Sequence, residues 1–246
     1  MKAVILAAGQ GTRIRSVHGE RPKCLITAGD QTILDYQLDA LSIAGVDEVA
    51  IVVGYEKEQI MNHVGTRYDH VGMMIDFVEN RTFASTNNIY SLWCARKWLR
   101  NDSFVCLNAD VIFEPEILEA ALQDTAQISM IVDTEWRDET MKVVISDGRV
   151  IRMSKKIPRD EFHGTYIGIT TFRRPATKRF FGKMHDFICA GRVNEFFNAA
   201  VQELADEGVG VGFTSTAGMA WAEIDDPLDL AFAQQHVFPQ LSAEAA

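Results

Sequence analysis

Ala3-Val4-Ile5-Leu6-Ala7-Ala8-Gly9-Gln10-Gly11-Thr12-Arg13, followed after a short gap by Arg21-Pro22-Lys23-Cys24-Leu25, decides the reading of this chain of 246 residues. Val4 to Leu6 is an apolar run of buried-strand length, and it empties into small residues and two glycines. A strand that ends this way lets backbone N–H groups approach an anion closely, and Arg13 and Lys23 add two cationic side chains for phosphates. Two common phosphate loops do not fit. A dinucleotide fingerprint needs a third glycine where Ile14 stands, and a Walker loop needs Gly-Lys-Ser/Thr, whereas Lys23 comes late and precedes Cys24. A plain structural turn accounts for two glycines but not for their combination with Arg13 and Pro22-Lys23.

Beyond this stretch, short apolar runs alternate with helical patterns. Thr32 is expected to cap a helix bearing Leu34, Leu38 and Leu41 and closed by Gly45, and Val49 to Val53 reads as a second buried strand. A helix over 56–64, an extended run over 73–78, a helix capped by Ser85 or Thr86 and reaching about Leu99, and a strand over 104–107 follow. Continuous apolar strands separated by helices imply right-handed crossovers and a parallel sheet. The second half has short strands over 129–132, 142–145 and 150–153, with Asp147-Gly148 as a hairpin turn, then a strand over 165–172. Helical segments around 194–206 and from Pro227 complete it. The expected fold is α/β: a Rossmann-like, mostly parallel central sheet flanked by helices, with a small antiparallel insert covering a cleft. The chain reads as one domain over 1–246, with halves of about 1–125 and 126–225 and a C-terminal helix over 226–246.

Composition narrows the partners. A formal net charge of −10 argues against a nucleic-acid binder, which carries a basic face. It leaves room for a local basic pocket that binds a small anion. The four cysteines are scattered with no CxxC pair, as expected for reduced thiols in a cytoplasmic protein. No apolar stretch is long enough for a signal-peptide core or a membrane span, so no membrane partner is expected. Nothing in the pattern fixes the oligomeric state, and a homo-oligomer stays open. The six histidines show no paired-ligand spacing for zinc.

Two acidic positions stand out. Asp110 follows the strand that ends at Leu107, and Asp225 closes Trp221-Ala222-Glu223-Ile224-Asp225 ahead of a helix. Each lies just past a strand, where open α/β sheets place their ligands. Magnesium takes a few carboxylate oxygens together with phosphate and water, so two aspartates flanking a polyphosphate suffice for Mg2+. A helix cap is the alternative role, especially within Asp225-Asp226-Pro227.

Leu6-Ala7-Ala8-Gly9-x-Gly11-Thr12-Arg13 followed by Arg21-Pro22-Lys23 resembles the signature of the sugar-phosphate nucleotidyltransferase superfamily. That resemblance implies joining of a nucleoside triphosphate to a phosphate monoester with release of pyrophosphate. It implies nucleotide contacts from Leu6, Ala7, Ala8, Gly9, Gly11, Thr12 and Ala109, a metal on Asp110 and Asp225, and Arg13 and Lys23 as catalytic cations. Alanine at 109 replaces the glycine of many members. Where sugar-type members carry a Gly-Thr-Ala stretch, this chain has Ser85-Thr86-Asn87-Asn88-Ile89-Tyr90-Ser91-Leu92. That segment is similar to the bacterial choline-phosphate and phosphonate cytidylyltransferases. Asn87 and Asn88 then become candidate readers of cytosine, since a carboxamide offers both donor and acceptor; the alternative is that one merely supports the helix start.

The resemblance makes residues 126–225 the acceptor half and CTP the donor. Lys155 and Lys156 are candidates for the acceptor phosphate, with a solvated charge pair as the alternative, in Ser154-Lys155-Lys156-Ile157-Pro158 in place of the usual Glu-Lys-Pro. Trp136, Tyr166 and Glu223 are the other acceptor candidates. Asp133, Glu135, Asp138 and Glu139 crowd around Trp136 and suit a cationic substituent. The expected activity is a magnesium-dependent CMP transfer to a small phosphorylated or phosphonate headgroup. A sugar-1-phosphate nucleotidyltransferase and a non-catalytic nucleotide-binding subunit are the alternatives.

Overall fold

The structure is a computed structural model that describes residues 1–68 and 72–243. Its first half contains β1 (Lys2–Ala7), α1 (Arg15–His18), β2 (Thr27–Ala28), β3 (Gln31–Thr32), α2 (Ile33–Ile43), β4 (Glu48–Val53), α3 (Lys57–Tyr68), β5 (Met74–Glu79), α4 (Asn88–Leu99), β6 (Phe104–Asn108), β7 (Val111–Phe113) and α5 (Pro115–Gln123). The second contains β8 (Ile128–Asp133), β9 (Lys142–Ser146), β10 (Arg149–Ser154), β11 (Gly164–Phe172), α6 (Arg174–Cys189), α7 (Asn198–Asp206), β12 (Val211–Ser215), β13 (Trp221–Glu223), α8 (Pro227–His236) and α9 (Phe238–Ala243).

The N-terminal apolar run is the middle of the sheet. β1 pairs in parallel with β4 on one side and β6 on the other, and β5 extends the sheet beyond β4. Among the described residues nine strands share this sheet, in the order β10-β9-β11-β6-β1-β4-β5, with β8 attached to β11 and β12 to β8. Helices cover both faces. Leu34, Leu38, Ile60 and Ile117 pack on one, and Leu92, Leu99, Phe180 and Phe187 pack on the other. Each such buried side chain contributes ~1.5–3 kcal/mol relative to exposure. This is the Rossmann-like α/β arrangement expected from the alternation of apolar runs.

Four local features differ from the expectation. The antiparallel strands extend the central sheet, because β11 pairs with β6, β8 and β9 at once. Its register shifts between Tyr166 and Thr170, around Gly168 at φ 92°, where a Cβ would lie 2.9 Å from Val111 Cγ2. The helix expected to start at Ser85 or Thr86 is capped by Asn87 instead. Ser85 ends a 3-10 turn, and the Ser85 and Thr86 hydroxyls donate to Thr82 O at 3.2 and 2.9 Å. Helix α6 was not anticipated, although its buried face of Phe180, Phe181, Met184 and Phe187 has helical spacing. The C-terminal segment forms two helices, α8 and α9, and positions 244–246 of the expected helix lie outside the described residues.

Candidate active site

The site forms where three strand ends meet. β1 delivers the glycine loop, the turn after β6 delivers Asp110, and the segment after β13 delivers Asp225, with Ile224 N donating to Asp110 O at 2.8 Å. This is the carboxyl edge of the parallel strands β1, β4 and β6, where open sheets hold ligands. Gly11 sits at φ 58° and turns the loop toward Lys23, and a Cβ there would approach Lys23 Cβ to 2.9 Å. Only a residue without a side chain permits that approach.

Lys23 then closes the arrangement. Its ammonium donates to Asp110 Oδ2 at 2.8 Å and also to Asp225 Oδ1. The Arg13 guanidinium donates to Asp225 Oδ2 at 2.5 Å and lies 3.7 Å from Glu139. Burial alone would lower the Lys23 ammonium, but attraction to Asp110 and Asp225 outweighs it and raises it above its ordinary value. Burial alone would raise the Asp225 carboxyl, but Lys23 and Arg13 outweigh that and hold it below the usual range. Glu223 is pushed up to about 8, by burial first and then by the charges of Asp110 and Asp225.

Carboxylate oxygens of Asp110, Glu223 and Asp225 all lie within 4.8 Å of one another. Glu223, expected on the acceptor wall, therefore joins the two aspartates; its place two residues before Asp225 was the available signal. Asp110 Oδ1 is buried and has no hydrogen-bond partner among the described residues. In the Asp225-Asp226-Pro227 stretch it is Asp226 that caps α8, accepting from Leu228 N and Asp229 N at 2.7 and 3.0 Å. Asp225 is thereby left to the site.

Beside a cavity of about 620 Å3 that Arg13, Glu223 and Asp225 share with Glu135, Asp138, Glu139 and Phe232, two smaller cavities flank the cluster. One, of about 240 Å3, is lined by Leu6, Ala7, Gly9, Gly11, Thr12, Arg13, Lys23, Ala109, Asp110 and Asp225. The other, of about 230 Å3, brings Ala8, Asn87, Asn88, Lys155 and Glu223 to the same aspartates, along with Phe83 and Phe196. Asn87 and Asn88 each spend a carbonyl oxygen on structure: Asn87 Oδ1 accepts from Asn88 N at 2.7 Å, and Asn88 Oδ1 from Phe197 N at 2.8 Å. Both roles considered from the sequence are thus open to them, as cap or anchor and as cavity lining.

The acceptor candidates separate. Lys155 lines the cavity, whereas Lys156 is exposed and does not. Tyr166 is 4% exposed in the core, bonded to Thr170 at 2.8 Å, because β11 is covered along its whole length. It cannot contact an acceptor there. Trp136 lines neither cavity; Lys142 and Arg159 lie 4.6 and 5.5 Å from its ring centroid, and Phe162 packs edge-on. Two of the protein's own cations already stand over its ring. Asp133 is buried and accepts from Thr216 and from Glu135 N, so it takes no part in an acidic wall. Phe83 and Phe196 are the aromatic residues that the second cavity does present.

This fold and this meeting of loop, cations and carboxylates define a nucleotidyltransferase. The chain belongs to the MobA-like NTP transferase domain family, whose profile matches residues 3–165. It is similar to the CTP:phosphoglutamine cytidylyltransferase of Campylobacter jejuni, at 27% identity over 70% of this chain and 73% of that protein. It is also similar to the CMP-5'-(3-aminopropyl)phosphonate synthase of Streptomyces rubellomurinus, at 30% identity over 93% of this chain, but it spans only 37% of that longer protein. Among solved structures, the inositol-1-phosphate CTP transferase from T. maritima superposes with a TM-score of 0.81 at 22% identity, covering 96% of this chain and 97% of that one. The last likeness is one of fold. No helix among the described residues is long and apolar enough to cross a membrane.

Proposed function

We propose that the protein transfers CMP from CTP to a small phosphorylated or phosphonate acceptor and releases pyrophosphate. One observation carries this: Lys23 and Arg13 meet Asp110 and Asp225 between a glycine-loop cavity and one that holds Asn87, Asn88 and Lys155. Of the two relatives named above, one is by name a CTP:phosphoglutamine cytidylyltransferase and the other a CMP-phosphonate synthase, which supports CTP as the donor.

An acceptor oxygen attacks the α-phosphorus in line, the new P–O bond forms, and the Pα–O bond to the β-phosphate breaks with its electron pair leaving on pyrophosphate. The acceptor is already ionised at neutral pH, so no general base is needed. The obstacle is bringing two anions together, which calls for positioning and charge neutralisation. Arg13 is assigned to the β- and γ-phosphates and the leaving pyrophosphate, Lys23 to the α-phosphate, and Lys155 to the acceptor oxygens. Both Arg13 and Lys23 must exchange their carboxylate partners for phosphate oxygens as CTP enters. Asp110, Glu223 and Asp225 fit a hard cation such as Mg2+: the donors are all oxygen, they converge, and one buried oxygen lacks a partner. Such an ion supplies charge neutralisation at the polyphosphate when bound. The four free cysteines support a reducing, cytoplasmic setting.

The test is pyrophosphate release with each of the four nucleoside triphosphates against phosphocholine, phosphoethanolamine, 2-aminoethylphosphonate and glucose 1-phosphate. Release with CTP and a headgroup is expected. Release confined to glucose 1-phosphate, or none with any pair, refutes the proposal.

A further inference from the structure

The turn between β6 and β7 carries Asp110, and one side chain from α2 holds both of its ends. Gln37 is fully buried, and its Nε2 donates to Asn108 O at 2.7 Å and to Val111 O at 2.8 Å. Those carbonyls stand on either side of Ala109-Asp110, and a carboxamide nitrogen has two protons, so both are used. The planar NH2 group thereby fixes the spacing of the two carbonyls. β11 closes on the same pair of residues: a Cβ on Gly168 would lie 2.9 Å from Val111 Cγ2 and 3.2 Å from Asn108 Cβ. Gln37 Oε1, by contrast, is buried with no hydrogen-bond partner among the described residues. A buried acceptor left unpaired is destabilising, so the side chain carries a penalty at one end while it supplies two donors at the other. Asp110 divides its carboxylate in the same way. Its Oδ2 accepts from Lys23 at 2.8 Å, and its Oδ1 is the buried oxygen without a partner. With no donor of its own among the described residues, Oδ1 takes its place from the backbone that carries it.

We propose that Gln37 is a positioning residue of the site: by spanning the turn it sets where Asp110 Oδ1 stands among the oxygens of Glu223 and Asp225, and so the affinity of that cluster for a divalent cation. This rests on the metal-dependent transferase function proposed above. Gln37 lines neither of the two smaller cavities beside the cluster, so it acts through the turn. Without its donors, Asn108 O and Val111 O lose their shared partner and the turn shifts. Asp110 Oδ1 shifts with it, and three oxygens that must converge on one small ion no longer meet its strict distances.

The experiment titrates Mn2+ into the chelator-treated full chain, without nucleotide, and follows the electron paramagnetic resonance signal of the free ion. The wild type is expected to bind Mn2+, and Asp110→Asn to lose it. Gln37→Met keeps length and bulk without the donors, and it should weaken binding about tenfold, the lower end of what removing groups that orient metal ligands does. Gln37→Glu, whose buried carboxylic acid has one proton to donate instead of two, should fall between, and it decides the matter if Gln37→Met does not fold. Leu38→Ala alters the next, equally buried residue of α2. It should lower Tm by opening a cavity yet hold the Mn2+ affinity within about twofold of the wild type. In turnover, the Mg2+ concentration for half-maximal pyrophosphate release rises in Gln37→Met by the same factor as the Mn2+ affinity falls, and stays put in Leu38→Ala. Undiminished Mn2+ affinity in Gln37→Met, or an equal loss in Leu38→Ala, overturns the proposal. A wild type that binds no Mn2+ overturns the metal site and the proposal with it. Failure of pyrophosphate release counts against the transferase function instead, and the ratio of Mn2+ affinities alone decides the role of Gln37.

Discussion

Replacing Lys23 by methionine keeps the apolar stem and removes the ammonium. The charge it removes is bonded to Asp110 at 2.8 Å and to Asp225, and the three side chains are 13%, 24% and 22% exposed. One pair of unit charges at that distance attracts by about 6 kcal/mol at an effective dielectric of 20, before desolvation is subtracted. Removing one partner of a buried pair costs about 3–5 kcal/mol, and because water reaches part of both aspartates here we expect about 2–3 kcal/mol. In a chain of this size that lowers Tm by roughly 4–12 °C. The pH dependence has a definite sign. Lys23 is raised from 10.5, so its contribution is complete below that value and lost as pH rises through the folded value. Asp225 is lowered from 3.8, so its contribution is complete above that value and lost as pH falls through the folded one. At pH 7, below the Glu223 value of about 8, Glu223 still holds its proton and Lys23 compensates the two aspartates. Thermal unfolding in chelator-treated buffer at neutral pH measures the loss, and millimolar Mg2+ should restore more stability to the variant than it adds to the wild type. Turnover should fall on the order of 10²–10³-fold. A variant that melts within about 1 °C of the wild type, or gains no more from Mg2+, refutes the charge accounting.

Two further substitutions test the loop and the base end. Gly11→Ala forces a left-handed residue at a cost of about 1–2 kcal/mol and presses on Lys23 Cβ, 2.9 Å away. We expect a Tm drop and a fall of roughly tenfold or more in kcat/KM for CTP, since displacing a catalytic charge weakens positioning; unaltered kinetics would show that the loop does not set the position of Lys23. Asn87→Asp keeps the oxygen that accepts from Asn88 N at 2.7 Å, so stability should change by less than about 0.5 kcal/mol. Loss of its NH2 donor should raise KM for CTP by about two- to tenfold, and an unchanged KM would leave Asn87 as a helix cap alone.

The legible parts of the site are those whose chemistry is packed into a few adjacent residues. The loop from Leu6 to Arg13 announces itself through small residues after an apolar run, and Asp110 and Asp225 through their place at strand ends. Residues whose role depends on which way a strand or loop faces were not legible. Tyr166 reads as an accessible aromatic in a strand, yet β11 is buried throughout because strands pair with both its edges and helices cover it. Lys155 and Lys156 are equivalent as text, and the turn after β10 brings only the first to the cavity. Trp136 stands in an acidic run that suggests a cation box, but Lys142 and Arg159 stand over its ring while Glu135, Asp138 and Glu139 line a separate cavity. Phe196 carries no motif, and its exposure follows from the burial of Phe197 beside it.

By itself the sequence determined the alternation of apolar strands and helices and the phosphate-facing character of the loop, because both follow from contacts within a few residues. The tertiary structure decided which charges meet. Lys23 reaches Asp110 and Asp225 across separations of 87 and 202 residues, and Glu223 joins them because β13 pairs with β7 just past Asp110. Electrostatic attraction falls off with distance in space and takes no account of distance along the chain, so only the folded sheet could bring those groups together.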